Sequence, residues 1–189
     1  MNLAISVGGY AHYDLVTQTD YVLQAEKMGI NTVWSAEGWG EDAVTSLAYL
    51  AALTNRVKLG TGIMQISARV PAITAMTALS MANLSGDRFL LGLGTSGPQV
   101  VEGLHGVKYD KPLTRLKETV EIVRLATKGY KIDYSGKVHK LPLPNGAGKA
   151  IRLSSPSRSL PIYLATIAPQ ALRYTGRVAD GWLGAAFSP

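Results

Sequence analysis

Residues 57–97, VKLGTGIMQISARVPAITAMTALSMANLSGDRFLLGLGTSG, decide the fold, because they read in order as strand, loop, helix, strand and glycine-rich turn. Val57 to Met64 has the β-branched and apolar character of a buried strand, with Gly60 and Gly62 marking a bend or a close approach. Pro71 suits the first turn of a helix that runs to Leu84, with Ile73, Met76 and Leu79 on one stripe and many alanines for close packing. Ser85-Gly86-Asp87 ends that helix. Phe89 to Leu93 is apolar throughout, the pattern of a parallel strand covered on both faces.

The turn that follows, Gly92 to Gly97, spells GLGTSG and so matches the dinucleotide fingerprint GxGxxG. Its context argues against a Rossmann domain, where this turn follows the first strand and an acid lies about 20 residues on. Here strand and helix units already precede it, and the chain beyond it is helical. No Gly-Lys-Ser/Thr follows, which excludes a Walker loop. What remains is a set of glycines and backbone N–H groups at a strand end, suited to holding an anion.

Outward from this core, the alternation continues in both directions. Leu3 to Val7 reads as the first strand and Thr17 to Met28 as a helix, with Thr17 and Asp20 at capping-box spacing and Gly29 as its stop. Thr32 to Ala36 is the second strand, and Asp42 caps a helix to Leu53. Downstream, Leu113, Leu116, Val120 and Val123 fall at helical spacing within Lys111 to Thr127. Tyr130, Ile132 and Tyr134 alternate, Ser135-Gly136 turns, and Val138 to Leu141 returns as a hairpin, before a Pro- and Gly-rich loop to Leu160. Pro161 to Ala165 and Gly181 to Leu183 are further strands around a helix at Pro169 to Val178.

Alternating strands and helices specify a parallel α/β sheet. Six units are present where a TIM (β/α)8 barrel has eight and about 250 residues, so the expected fold is a barrel truncated after about six strands, with an open doubly wound sheet as the alternative. The expectation is one domain over residues 1–189, with an insertion at about 129–160. The chain has 189 residues, 47% hydrophobic and 17% charged, enough for a sizeable core. Its net charge of +6 is scattered and not interleaved with aromatics, which gives little support to nucleic-acid binding. It has no cysteine and three isolated histidines, which excludes thiolate chemistry and disulfides and gives no metal cluster. The N-terminus has no basic leader and only a strand-length apolar run, so the expected location is the cytoplasm, with no membrane partner.

LGTGIMQISARVP, followed by SGDRFLLGLGTSGPQVVEGLHGVKYDKPLTRLKETVEIVR, resembles the bacterial luciferase-like family, and more narrowly its branch of oxidoreductases that use the deazaflavin coenzyme F420. The resemblance implies a luciferase-like barrel, coenzyme F420 with FMN as the alternative, a small organic substrate, and a homo-oligomer such as a dimer. It implies a cis peptide or bulge at Gly62-Ile63, with Ile63 backing the ring, and coenzyme contacts from Gln65, Thr95, Ser96, Gly97 and Gln99. It places the coenzyme's phosphate tail on the amides of Ile167 and Ala168, where a helix N-terminus makes an anion physically sensible. Glu37 stands where the family's proton donor follows the second strand, although some branches have histidine there and the preceding aspartate is here Ala36. Gly97 stands where some relatives carry a catalytic acid, so their sugar-phosphate substrates are a poor expectation. Tyr10, His12 and Trp39 are candidate pocket walls; His105 and Arg69 read as structural.

Overall fold

The computed structural model describes residues 2–8 and 14–185. Tyr10 and His12, two of the expected pocket walls, lie outside these described residues. Strands β1 (Ala4–Gly8), β2 (Thr32–Ala36), β3 (Lys58–Thr61), β4 (Met64–Gln65) and β5 (Phe89–Gly94) alternate with helices α1 (Leu15–Lys27), α2 (Ala43–Leu53) and α3 (Pro71–Leu84). Then come α4 (Pro98–Val101), α5 (Pro112–Thr127), β6 (Tyr134–Ser135), β7 (Lys140–Leu141), β8 (Ile162–Ala165), α6 (Pro169–Val178) and β9 (Gly181–Trp182).

The main sheet is parallel at every pairing, in the order β1-β2-β3-β5-β8-β9, with β4 also against β5. Strands therefore follow one another in a single direction. A doubly wound sheet reverses its order at a switch point, whereas a (β/α) barrel adds each strand beside the last. The observed order is that of the barrel, and the doubly wound alternative is excluded.

The chain forms two compact units. Residues 1–65, 81–94 and 161–189 make the first, which carries the parallel sheet; residues 66–80 and 95–160 make the second. In the first unit every residue of β5 is buried. Two aromatic rings fill part of its glycine-lined face: Trp34 meets Tyr163 edge-on at 5.3 Å between centroids. A Cβ on Gly60 would fall 2.3 Å from the Trp34 ring, and one on Gly181 would fall 2.1 Å from Tyr163, so these glycines make room for the rings. Arg88 ties the bottom of the sheet to α2, donating to the carbonyls of Ala51, Thr54, Val57 and Ser85. Buried Glu26 accepts the N–H groups of Asn55, Arg56 and Val57.

In the second unit, α5 buries Leu116, Val120 and Val123, and β6 and β7 form a short antiparallel hairpin. Glu118 of α5 is buried and accepts the N–H groups of Lys137 at 2.7 Å, Val138 at 3.0 Å and His139 at 2.7 Å, clamping the hairpin's turn onto the helix.

Several local expectations change. The first helix starts at Leu15, not Thr17, because Asp14 is its cap: the Asp14 carboxylate accepts from both Thr17 N–H and Thr17 Oγ1. The expected strand from Val57 to Met64 breaks into β3 and β4. On α3, Ile73 and Met76 are exposed, and the buried residues include Ala75, Ala78, Leu79, Met81 and Ala82. The hairpin strands are two residues each, shorter than their sequence alternation implies.

Candidate functional site

In a (β/α) barrel the chemistry collects at the C-terminal ends of the strands, where the loops converge. In the first unit, β2 ends at Ala36 and hands Glu37 to that rim. β3 ends at Thr61, and the chain turns through a cis peptide at Gly62-Ile63 before β4. Three hydrogen bonds join these two segments. Glu37 N–H donates to the Ile63 carbonyl at 3.2 Å, Gln65 N–H donates to Glu37 Oε2 at 3.1 Å, and Gln65 Nε2 donates to the Glu37 carbonyl at 3.2 Å. Glu37 is half-buried and Gln65 is buried. The carboxyl thus sits at the rim in an orientation fixed by the turn itself.

Ile63 points across the sheet toward β5. Its Cδ1 lies where a Cβ on Gly94 would come within 2.7 Å, so the glycine at the end of β5 is what lets Ile63 lie over the strand end. Gly94 pairs with Ala165 of β8. Beyond Ala165 come Thr166, Ile167 and Ala168, of which Thr166 is buried while Ile167 and Ala168 are exposed. This connection is pinned at both sides: Thr166 Oγ1 lies 2.8 Å from Thr175 Oγ1, and Trp182 Nε1 donates to the Thr166 carbonyl at 2.8 Å. Ala168 is the N-cap of α6 and supplies no side-chain cap, with Pro169 at the first helical position. The first-turn N–H groups of a ten-residue helix are therefore left for solvent or an anion.

Thr95, Ser96, Gly97 and Gln99 belong to the second unit and follow directly from the end of β5. Ser96 holds a left-handed backbone with φ 53°, rare for a residue with a side chain. The hydroxyl of Tyr109 donates to its carbonyl at 3.2 Å and fixes it there. Gly97 is extended at φ −134° as the N-cap of α4, and a Cβ on it would meet nothing within 4 Å. Gln99 is exposed. The structure thus brings Glu37, Gly62, Ile63 and Gln65 together in one bonded cluster, sets Ile167 and Ala168 beyond a strand that pairs with β5, and makes Thr95 to Gln99 a separate loop. Trp39 is exposed.

The profile of the luciferase-like monooxygenase family matches residues 4–189. The chain belongs to the luciferase-like monooxygenase family. Among curated relatives in and around it, a Mycobacterium tuberculosis protein named as a coenzyme F420-dependent oxidoreductase is 40% identical across 100% of this chain and 56% of its own length. The 5,10-methylenetetrahydromethanopterin reductase of Methanolobus tindarius is 34% identical over 86% of this chain and 48% of its own length. Among solved structures, the coenzyme F420 dependent tetrahydromethanopterin reductase of Methanopyrus kandleri superposes with a TM-score of 0.83 at 22% identity, covering 97% of this chain and 55% of that one. An F420-dependent secondary alcohol dehydrogenase gives a TM-score of 0.82 at 20% identity. The fold is therefore the TIM-type barrel of the luciferase-like family, and the chain spans about half the length of the curated relatives it matches.

Three residues that fix these loops, Tyr109 at Ser96 in the second unit and Thr175 and Trp182 at Thr166 in the first, carry no signal in the sequence. They hold the loops from a distance in sequence, and no local spacing marks such bonds. Among the described residues no helix is long and apolar enough to cross a membrane.

Proposed function

We propose that this chain carries the coenzyme site of an oxidoreductase that uses coenzyme F420, with FMN as the alternative, for hydride transfer to or from a small organic substrate. The observation that carries the reading is the bonded cluster at the rim, in which a half-buried carboxyl, Glu37, is held by Gln65 beside the apolar wedge of Ile63. A planar ring system fits this arrangement: Ile63 offers it an apolar face, and the bare end of β5 at Gly94 leaves that face low. An anionic tail fits the uncapped N-terminus of α6 at Ile167 and Ala168. The name of the relative at 40% identity supports the same cofactor class.

When bound, the deazaflavin supplies the hydride chemistry, and the chain's residues position and polarise. Gly62 and Ile63 back the ring; Thr95, Ser96, Gly97 and Gln99 offer backbone and side-chain hydrogen bonds to the coenzyme; Gln65 keeps Glu37 aimed. Glu37 holds or gives up a proton at Oε1 or Oε2 as the substrate's charge changes. Residues 129–160, which contain the β6–β7 hairpin, are an insertion on this barrel, and the whole is one luciferase-like domain in a cytoplasmic protein. Exposed Tyr21 on α1, Met28 at its C-cap and Tyr49 on α2 give an apolar surface suited to a homo-oligomer, which sedimentation of the purified chain would detect.

The test is a titration of the purified chain with F420, FMN and NAD, followed by fluorescence and by thermal shift. Saturable F420 or FMN binding without an NAD effect is expected. Glu37→Gln should keep that affinity while lowering turnover by about 10²-fold, the usual weight of one proton-transfer group. No binding of either coenzyme would overturn the reading. Binding with no turnover and no effect of Glu37→Gln would favour a non-catalytic coenzyme-binding barrel.

A further inference from the structure

The second unit contains a cavity of about 220 Å³ with a cationic wall. It is lined by residues 66–70, by Thr95 and Val101, by residues 107–110, by Pro112 and Arg115 in the first turn of α5, and by His139. Arg69, Lys108 and Arg115 bring three positive charges to this lining, and Asp110 is its one acid. Asp110 Oδ1 accepts from Arg115 Nη2 at 2.6 Å, and the Asp110 carbonyl accepts from Arg115 Nε at 3.0 Å. Arg115 is thereby fixed in place, and the lining keeps an excess of positive charge over its single carboxylate. Ser67 Oγ, also in the wall, is buried without a hydrogen-bond partner. A buried hydroxyl left in that state costs free energy that a ligand oxygen would recover.

The wall is also pre-set. Glu118 holds the N–H groups of residues 137–139 on the same helix that supplies Arg115, and a Cβ on Gly136 would fall 2.4 Å from the Glu118 carboxyl carbon, so the turn lies flat on α5. His139 is therefore presented to the cavity by a rigid turn. Two guanidinium groups, an ammonium and a hydroxyl around one small space suit a compact oxyanion, since guanidinium groups pair with phosphate and carboxylate oxygens two at a time.

We propose that this cavity binds an oxyanion, a phosphate or a carboxylate group, with Arg69 and Lys108 as its charge partners and Ser67 as a hydrogen-bond donor. Thr95 lies in the same wall, so the ligand bearing that group is either the coenzyme or an acidic substrate. Only this choice of source rests on the function proposed above.

The experiment uses inorganic phosphate on the whole 189-residue chain, without coenzyme. Saturable binding is expected, weakening as ionic strength rises, at least tenfold weaker in Arg69→Ala/Lys108→Ala and several-fold weaker in Ser67→Ala. Lys108→Ala alone, at an exposed position, keeps the test sound should the double variant unfold, and thermal unfolding reports that directly. No saturable binding by the unaltered chain, or equal binding by folded variants, overturns the site. The source is read from F420 beside its deazaflavin chromophore lacking the acidic tail. Weaker F420 binding by the variants, with chromophore binding unchanged, assigns the oxyanion to the coenzyme. Unchanged binding of both, with phosphate binding lost, assigns it to the substrate. A chain that binds phosphate but no deazaflavin refutes the proposed coenzyme while the oxyanion site stands.

Discussion

Two glycines of β5, two residues apart and on the same side of the sheet, should respond very differently to one added methyl group. A Cβ on Gly92 would lie 1.8 Å from the Thr61 carbonyl oxygen, a backbone atom of the neighbouring strand. Gly92→Ala must therefore push β3 and β5 apart. That movement also breaks the buried exchange in which Gly92 N–H donates to Thr61 Oγ1 at 2.9 Å and Thr61 Oγ1 donates to the Gly92 carbonyl at 2.8 Å. Overpacking costs about 1–3 kcal/mol and each lost bond about 1 kcal/mol, so about 3–5 kcal/mol is expected, a large share of a typical domain's stability. Thr61→Val, which removes the two bonds and adds no volume on β5, should cost about 2 kcal/mol. A Cβ on Gly94 meets the Ile63 side chain, Cδ1 at 2.7 Å and Cγ1 at 3.1 Å, with Ala165 Cβ in ordinary contact at 3.5 Å, and the Ile63 side chain can rotate away. Gly94→Ala should cost no more than about 1 kcal/mol, the strain of one displaced rotamer. The displaced residue is the one proposed to back the ring, so coenzyme affinity should fall about tenfold. Urea unfolding measures the first set and F420 fluorescence titration the second. Equal destabilisation by the two alanines, or unchanged affinity in Gly94→Ala, would refute the placement of Ile63 over the end of β5.

Gly97→Leu should leave the urea midpoint within about 0.5 kcal/mol, because the backbone there is extended and nothing lies within 4 Å of the new Cβ, yet weaken F420 binding if this loop carries the coenzyme. Ser96→Gly should stabilise the fold by about 0.5–1 kcal/mol by relieving the left-handed backbone, and Tyr109→Phe, by freeing the Ser96 carbonyl, should lower coenzyme affinity with little change in midpoint. Gln65→Leu removes the donor to the Glu37 carbonyl and should reduce kcat about tenfold while KM moves little, a split that steady-state kinetics resolves. Burial opposes ionisation at Glu26 and Glu118, but the backbone N–H groups they accept outweigh it and hold both below the usual carboxylate value of 4.5. Their contribution is therefore complete above about pH 4.5 and is lost as pH falls through the lowered values. Midpoints measured from pH 7 to pH 3 should fall in that acid range, and Glu118→Gln should flatten part of the fall.

The order of elements was legible because apolar runs, glycines and prolines punctuate this chain at each strand-helix boundary. Pro71, Pro112 and Pro169 each stand at a helix start, and Asp42 caps α2 as its position implies, accepting from Val44 and Thr45 N–H. Faces were less legible than elements. On α3, the sequence ranks Ile73, Met76 and Leu79 as one core stripe, but only Leu79 of these is buried, together with Ala75, Ala78, Met81 and Ala82. The location of Ile63 over Gly94 required knowing that β3 and β5 are adjacent, and β4's break from β3 followed a resemblance and not any spacing. The long-range clamps, Arg88 on α2, Glu118 on the hairpin turn and Trp182 on Thr166, lie beyond local reading because each joins residues at least 16 positions apart.

Long-range bonds also bear on the proton-transfer role proposed for Glu37. A group that moves protons must keep its aim while substrates come and go, and a carboxyl on a free loop would not. Here Glu37 borrows rigidity from two strands at once: its N–H is held by Ile63, and its carbonyl and one carboxylate oxygen are held by Gln65, itself in the ladder with β5. The wedge and the acid therefore belong to one rigid segment, and any shift of one carries the other with it. The same holds on the far side of the rim, where Thr166 is fixed by α6 and β9 so that the exposed Ile167 and Ala168 project from a fixed anchor. The backbone on both sides of the rim is thus held by bonds to the sheet and to α6, while Ile63 Cδ1 ends a side chain that can change rotamer.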